Sequence, residues 1–143
     1  MPGQSTDQQA QAAVENMPGY RRTSGLIEWG DGNSIQIVNG RVTEILLTYP
    51  PFSYTLGDVF DKFGPPEKFR YPIYGAEDAR EAIGFLYPSR GMEFWTDFKY
   101  SYRSPERTMP VSHSEYYPPM SLADYISKYH VVMEISDWMG WKQ

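Results

Sequence analysis

A short pattern occurs twice in this chain and limits how it can fold. Tyr49-Pro50-Pro51-Phe52 leads into Thr55-Leu56-Gly57-Asp58-Val59-Phe60-Asp61-Lys62-Phe63, and Tyr117-Pro118-Pro119-Met120 leads into Ser121-Leu122-Ala123-Asp124-Tyr125-Ile126-Ser127-Lys128-Tyr129. The first copy carries an insertion, Ser53-Tyr54. Thr55 with Asp58, and Ser121 with Asp124, have the form of capping boxes built with a short carboxylate. Leu56, Val59, Phe60 and Phe63 then form one apolar helical stripe, as do Leu122, Tyr125, Ile126 and Tyr129. Two accounts of the repeat stay open. Capped amphipathic helices converge on such patterns, whereas Tyr-Pro-Pro upstream of both is not required by capping and points to duplication. Under either account Leu56, Phe60, Leu122 and Ile126 are expected in the core.

Hairpin signals surround these helices. Ile35-Gln36-Ile37-Val38 and Val42 to Leu47 flank Asn39-Gly40, a strong two-residue turn signal. A plain two-residue turn pairs Ile37 with Val42 but sets Glu44 opposite Ile35. An offset of one residue aligns Ile35 with Ile45 and Ile37 with Thr43, so a bulged or odd-length turn is expected. A second hairpin joins Ala82–Tyr87 to Met92–Asp97 through Pro88-Ser89-Arg90-Gly91. Pairing Tyr87 with Met92 sets Phe85 opposite Phe94 and puts Trp95 across from Gly84, whose missing side chain the ring covers. Phe98, Tyr100 and Tyr102 continue a period of two. Residues 103–120, rich in Pro and Ser, read as a long loop, and Val131, Met133 and Ile135 as a closing strand. Residues 5–16 favour a helix capped by Ser5 or Thr6, with a thin apolar side.

The fold expected is α+β: an antiparallel sheet of about five to seven strands with two short helices on one face and, if the repeat is a duplication, two related half-units. Residues 1–17 are a polar N-terminal segment with a weak helix, and residues 18–143 are a single α+β domain. Composition narrows the function. A net charge of -5 with no basic run longer than Arg21-Arg22 excludes a phosphate-binding footprint, so no nucleic-acid partner is expected. No apolar stretch approaches the length of a membrane span. With Cys 0 there are no disulfides or thiol chemistry. Aromatic residues reach 16% of the chain, which suits strands and also supplies a binding surface.

The segment Leu56-Gly57-Asp58-Val59-Phe60-Asp61-Lys62-Phe63-Gly64-Pro65-Pro66, with the hairpin Gly84-Phe85-Leu86-Tyr87-Pro88 to Gly91-Met92-Glu93-Phe94, resembles small bacterial envelope domains. These are the outer-membrane-assembly lipoproteins of the BamE (SmpA/OmlA) type and the β-lactamase-inhibitor-protein-like fold. The match covers residues 55–96. The chain departs from it where a hairpin, not a helix, precedes the motif helix, and where Tyr129-His130-Val131 replaces a Gly-Pro stop. The resemblance implies a non-catalytic binding module outside the cytoplasmic membrane, and with the polar, Gln-rich start it gives an extracytoplasmic location, secreted or lipid-anchored through a leader.

Chemistry-bearing motifs are sparse. Ser112-His113-Ser114 places hydroxyls beside an imidazole, but neighbours in an extended segment point apart, and a triad is defined by geometry. His113 and His130, with Glu134 or Asp137, offer a thin metal set, and His130 is explained by the end of the preceding helix. No enzyme activity, metal or cofactor is expected. The expected function is protein binding in the cell envelope, with another envelope or surface protein as partner. Candidate binding residues are Trp95, Tyr100, Tyr102, Trp138 and Trp141, some of which should form an exposed patch. The alternatives are a carbohydrate-binding module, in which exposed Trp and Tyr rings stack on a surface polysaccharide, and a small enzyme whose site no motif reveals.

Overall fold

The computed structural model describes residues 1–71, 83–96, 105–129 and 134–141. Helix α1 (Asp7–Val14) starts at Thr6, whose side chain accepts from the Gln9 backbone while Gln9 returns a bond to the Thr6 backbone, a complete capping box. Its thin apolar side nevertheless joins a core: Ala10 and Val14 are buried with Ile27, Ile35, Ile37 and Val42. Helix α2 (Leu56–Phe63) has the reciprocal Thr55–Asp58 box and ends at Gly64, φ 78°. Helix α3 (Leu122–Tyr129) starts at Ser121, whose hydroxyl accepts from the Asp124 backbone at 3.1 Å.

The strands are β1 (Arg21–Arg22), β2 (Leu26–Trp29), β3 (Asn33–Val38), β4 (Arg41–Thr48), β5 (Lys68–Tyr71), β6 (Gly84–Tyr87), β7 (Met92–Thr96), β8 (Val111–Tyr116) and β9 (Glu134–Asp137). Among the described residues they form one nine-stranded antiparallel sheet in the order β1-β2-β3-β4-β8-β7-β6-β5-β9. The α+β class with an antiparallel sheet and short helices is therefore as expected. The strand count is higher, because β1, β5 and β8 carry no clean alternation. Residues 103–120 contain β8 where a loop was expected: its Ser112-His113-Ser114 run is polar, yet it is held between β4 and β7.

Both hairpin registers follow from the side chains. The first has the two-residue turn, with Val38 opposite Arg41, Ile37 opposite Val42, and Asn39 and Gly40 at φ 52° and 73°. A bulge then shifts the ladder so that Gln36 faces Glu44 and Ile35 faces Ile45. Ile37 thus pairs with Val42 and not Thr43; the extra residue sits in the strand, where it restores a common apolar face. In the second hairpin Tyr87 faces Met92, Phe85 faces Phe94 and Gly84 faces Trp95, as expected. A Cβ on Gly84 would lie 3.0 Å from the Trp95 ring.

The two Tyr-Pro-Pro units are each a strand followed by a capped helix, and their strands β4 and β8 are neighbours. Thr48 lies opposite His113 and Ile45 opposite Tyr116. Cross-strand partners share a face and successive residues alternate, so Thr48 and its counterpart Tyr116 point to opposite faces. The chain consequently leaves β4 and β8 on opposite sides. Tyr49 packs against the core of Leu56, Val59, Phe60, Phe85 and Phe94, whereas Tyr117 packs with Leu86 and Tyr125. Phe85 and Leu86 are adjacent in β6, so α2 and α3 cover opposite faces. The expectation that both helices share one face is corrected by this parity.

The second helix is also the poorer fit to its stripe. Leu56 and Phe60 are buried, but Leu122 is half-buried and Ile126 is 41% exposed. Tyr125, not Ile126, anchors α3. The expected strand through Val131 and Met133 lies outside the described residues, which place β9 at Glu134–Asp137.

Candidate functional site

The sequence-derived site residues separate. Tyr100, Tyr102 and His130 lie outside the described residues. Trp95 is 5% exposed and sits within the sheet on the α3 face, so it belongs to no exposed patch. Its Nε1 donates to Glu93 Oε1 at 3.1 Å, His113 stacks on its ring at 5.6 Å and 10°, and the Arg70 guanidinium lies 3.9 Å from its centroid. Gly84 makes this possible by leaving space where a side chain would stand.

Trp138 and Trp141 do come together. Strand β9 ends beside β5, and the chain then folds over α2, where Trp138 meets Phe60 at 5.1 Å and Phe69 at 6.0 Å. Trp141 lies 4.6 Å from Phe60 and 5.2 Å from Trp138. Both indoles are half-buried at the rim of the larger core, and Met139 between them is 88% exposed. Arg107 lies 5.7 Å from the Trp141 ring and 2.5 Å from Asp61 on the exposed side of α2. Edge-to-face aromatic contacts hold the two indoles in place, so the rim presents aromatic edges, one flexible apolar side chain and a charged pair.

A second cluster escaped the sequence reading. On the α3 face Glu93 of β7 lies opposite Glu115 of β8. Glu93, 2% exposed, accepts from Tyr125 Oη and Trp95 Nε1, with Arg70 Nη2 at 3.6 Å. Burial, followed by the Glu93 charge and a hydrogen bond to it, pushes Glu115 up to about 8. Near neutrality Glu115 is thus protonated and donates to Glu93. Burial lowers His113 to about 4, helped by Arg70, so the 3.8 Å approach of His113 Nε2 to Glu115 joins two neutral groups and is no ion pair. Glu44 on β4 is also raised, mainly by burial, with Lys128 opposing and Glu93 reinforcing.

A neutral acid beside a carboxylate is the arrangement general acid–base chemistry uses. Here Tyr125 and Trp95 close over Glu93, and the cluster clamps α3 to the sheet. Ser112 likewise has a structural role, with its hydroxyl 2.9 Å from the Thr96 carbonyl and 3.0 Å from His113 Nδ1. The signal for this cluster was Glu93 standing between Met92 and Phe94 in a strand buried on both faces. Glu115 was hidden by reading its strand as loop.

The fold and these sites define an α+β domain with a helix-covered antiparallel sheet and an aromatic rim. Comparisons with protein-family models, curated proteins and solved structures return no match. Among the described residues no helix is long and apolar enough to cross a membrane.

Proposed function

We propose that this chain is a non-catalytic module that binds another protein through the rim formed by Trp138, Met139 and Trp141. The observation that carries the reading is Met139, almost fully exposed between two half-buried indoles. Rigid aromatic anchors with an adaptable methionine and a neighbouring arginine are the composition enriched at protein interfaces. Arg107 and Asp61 supply a polar margin. In line with the resemblance of residues 55–96 to envelope assembly domains, the partner is an envelope or surface protein, met outside the cytoplasmic membrane.

Capture of partners from native membranes and culture medium, using wild type and Met139→Asp, tests this. Met139 is too exposed for the substitution to disturb folding, so the variant should lose the proteins that wild type retains. Equal capture by both would sink the reading.

A further inference from the structure

The chain from Asp137 to Trp141 turns one side chain outward, and packing alone does not call for a methionine there. Trp138 points back onto Phe60, Phe69 and Phe85 at 5.1, 6.0 and 5.9 Å, and Trp141 onto Phe60 at 4.6 Å. With both indoles drawn to the same side, the two residues between them arch away. Gly140, at φ 89° with open space where a Cβ would stand, makes the arch. Met139 stands on it, 88% exposed, so its exposure is set by the anchored neighbours on either side.

Sulfur chemistry in this chain belongs to methionine alone. With Cys 0, no thiol of the chain competes for an oxidant. Oxygen transfer to a thioether requires the oxidant to reach the sulfur lone pair, so it follows access. Met92 and Met109 are buried in the larger core, and Met120 is half-buried beside Tyr125. Met1 and Met17 are exposed, but they flank α1 at the other end of the sheet. Met139 is the most exposed of the described methionines and the one that lies between the rim indoles. A sulfoxide there is polar and a strong hydrogen-bond acceptor. Beneath a partner shaped for a thioether, its oxygen loses water and gains no donor. Oxidation in the core would disrupt packing, whereas at Met139 it changes the surface and leaves the fold intact.

We propose that Met139 is a reversible oxidation site that gates the rim, a regulation that rests on the rim being the binding surface. The oxidant is a hydroperoxide. With hydrogen peroxide, the sulfur lone pair takes one peroxide oxygen, the O–O bond breaks and water leaves, so sulfur is oxidised as the peroxide is reduced. Methionine sulfoxide reductases, one for each epimer, reverse the step. Their thiols remove the oxygen as water and are left as a disulfide.

The test uses the full chain and dilute hydrogen peroxide. Peptide mapping by mass spectrometry should find the added oxygen at Met139 while Met92 and Met109 stay unoxidised, with the melting temperature unchanged. Proteins from native membranes and culture medium that reduced wild type retains and Met139→Asp loses should bind the oxidised chain about tenfold or more weakly. Treatment with both reductases should restore them. Met139→Leu, apolar but without sulfur, should retain the same proteins before and after peroxide. Oxygen arriving at Met92 or Met109 as fast as at Met139, a fall in melting temperature, or binding unchanged by oxidation would each overturn the gate while leaving the rim as the binding surface. Peroxide sensitivity that persists in Met139→Leu would do the same, since another residue would then be the sensor. If Met139→Asp loses nothing that reduced wild type retains, the rim reading and the gate fall together.

Discussion

Glu115 and His113 are neighbours on one face of β8 whose protonation pulls stability in opposite directions. Glu115 holds its proton more tightly in the fold, about 8, than its ordinary value of 4.5, so its contribution is full below 4.5 and is lost as pH rises through 8. His113 is held at about 4 against 6.5, so the fold resists charging it and loses stability as pH falls from 6.5 towards 4. Where these ranges overlap, from 4.5 to 6.5, the two slopes oppose one another, and above 6.5 the slope of Glu115 is no longer offset by His113. The melting temperature should therefore fall between pH 6.5 and 8 in wild type. Glu115→Gln, which keeps a donor facing Glu93, should flatten that fall. A wild-type profile that is level or rising across this interval would contradict the shared proton. Glycine spacing makes a second residue-level prediction. A Cβ on Gly91 would stand 2.0 Å from the Tyr117 carbonyl, with φ 66°, whereas one on Gly84 meets the Trp95 ring at 3.0 Å. Gly84→Ala should cost about 1–3 kcal/mol as the ring shifts. Gly91→Ala meets rigid backbone and should cost more, as read by urea denaturation of both variants. The Gly84–Trp95 pairing was legible in the sequence because a ring opposite a glycine needs only the register. The carboxyl pair was not, since it depends on two strands joined across the sheet.

Helices α2 and α3 look alike in sequence but are anchored differently. In α2 Leu56, Val59 and Phe60 are all buried, so its stripe gives its packing directly. In α3 the stripe misleads: Ile126 is exposed, Leu122 is half-buried, and it is Tyr125 that is buried and whose phenol donates to Glu93. The caps were readable because they are local, whereas the depth of each stripe depends on which sheet face receives it. Burial raises the Tyr125 phenol far above its ordinary value, so it remains a donor throughout the physiological range. Tyr125→Phe removes that donor and keeps the ring. It should destabilise the protein by about 1.5–3 kcal/mol, the range for hydrogen bonds to charged groups. Native-state hydrogen exchange should quicken first in α3 and leave α2 protected. Equal loss of protection in both helices would mean that α3 has no separate hold on the sheet. Strand β8 was the element least legible in the sequence. Its buried positions Val111 and Ser114 follow no period of two, because both of its faces are covered unevenly.

At the scale of the molecule, two cores share one face of the sheet, opposite the smaller cluster of Leu86, Tyr117 and Tyr125 under α3. The first gathers α1 with β2, β3 and β4, and the second gathers α2 with β6, β7 and β8. Among the described residues only the β4–β8 ladder joins the strands of the two halves, which by itself would allow each half to unfold alone. The connection through Tyr49 prevents this. The chain leaves β4 in the first half, and α2 is the helix that closes the second core. Tyr49 N donates to the Ser112 carbonyl at 2.9 Å, Tyr49 Oη lies 2.7 Å from Ser114 Oγ, and Leu56 N donates to the Met109 carbonyl at 2.9 Å. Losing α2 therefore strips both the second core and the seam that holds the first. The indoles report on the halves separately, since Trp29 packs on the first core and Trp95 lies in the second half. With 5-fluorotryptophan labelling, the native Trp29 and Trp95 resonances should vanish at one urea concentration. Leu56→Ala, a cavity beneath α2, should cost about 2–5 kcal/mol and lower both midpoints together, although Leu56 lies in the second core alone. If the Trp29 midpoint stays fixed while that of Trp95 falls, the halves are independent folding units and the β4–α2 connection is only a tether.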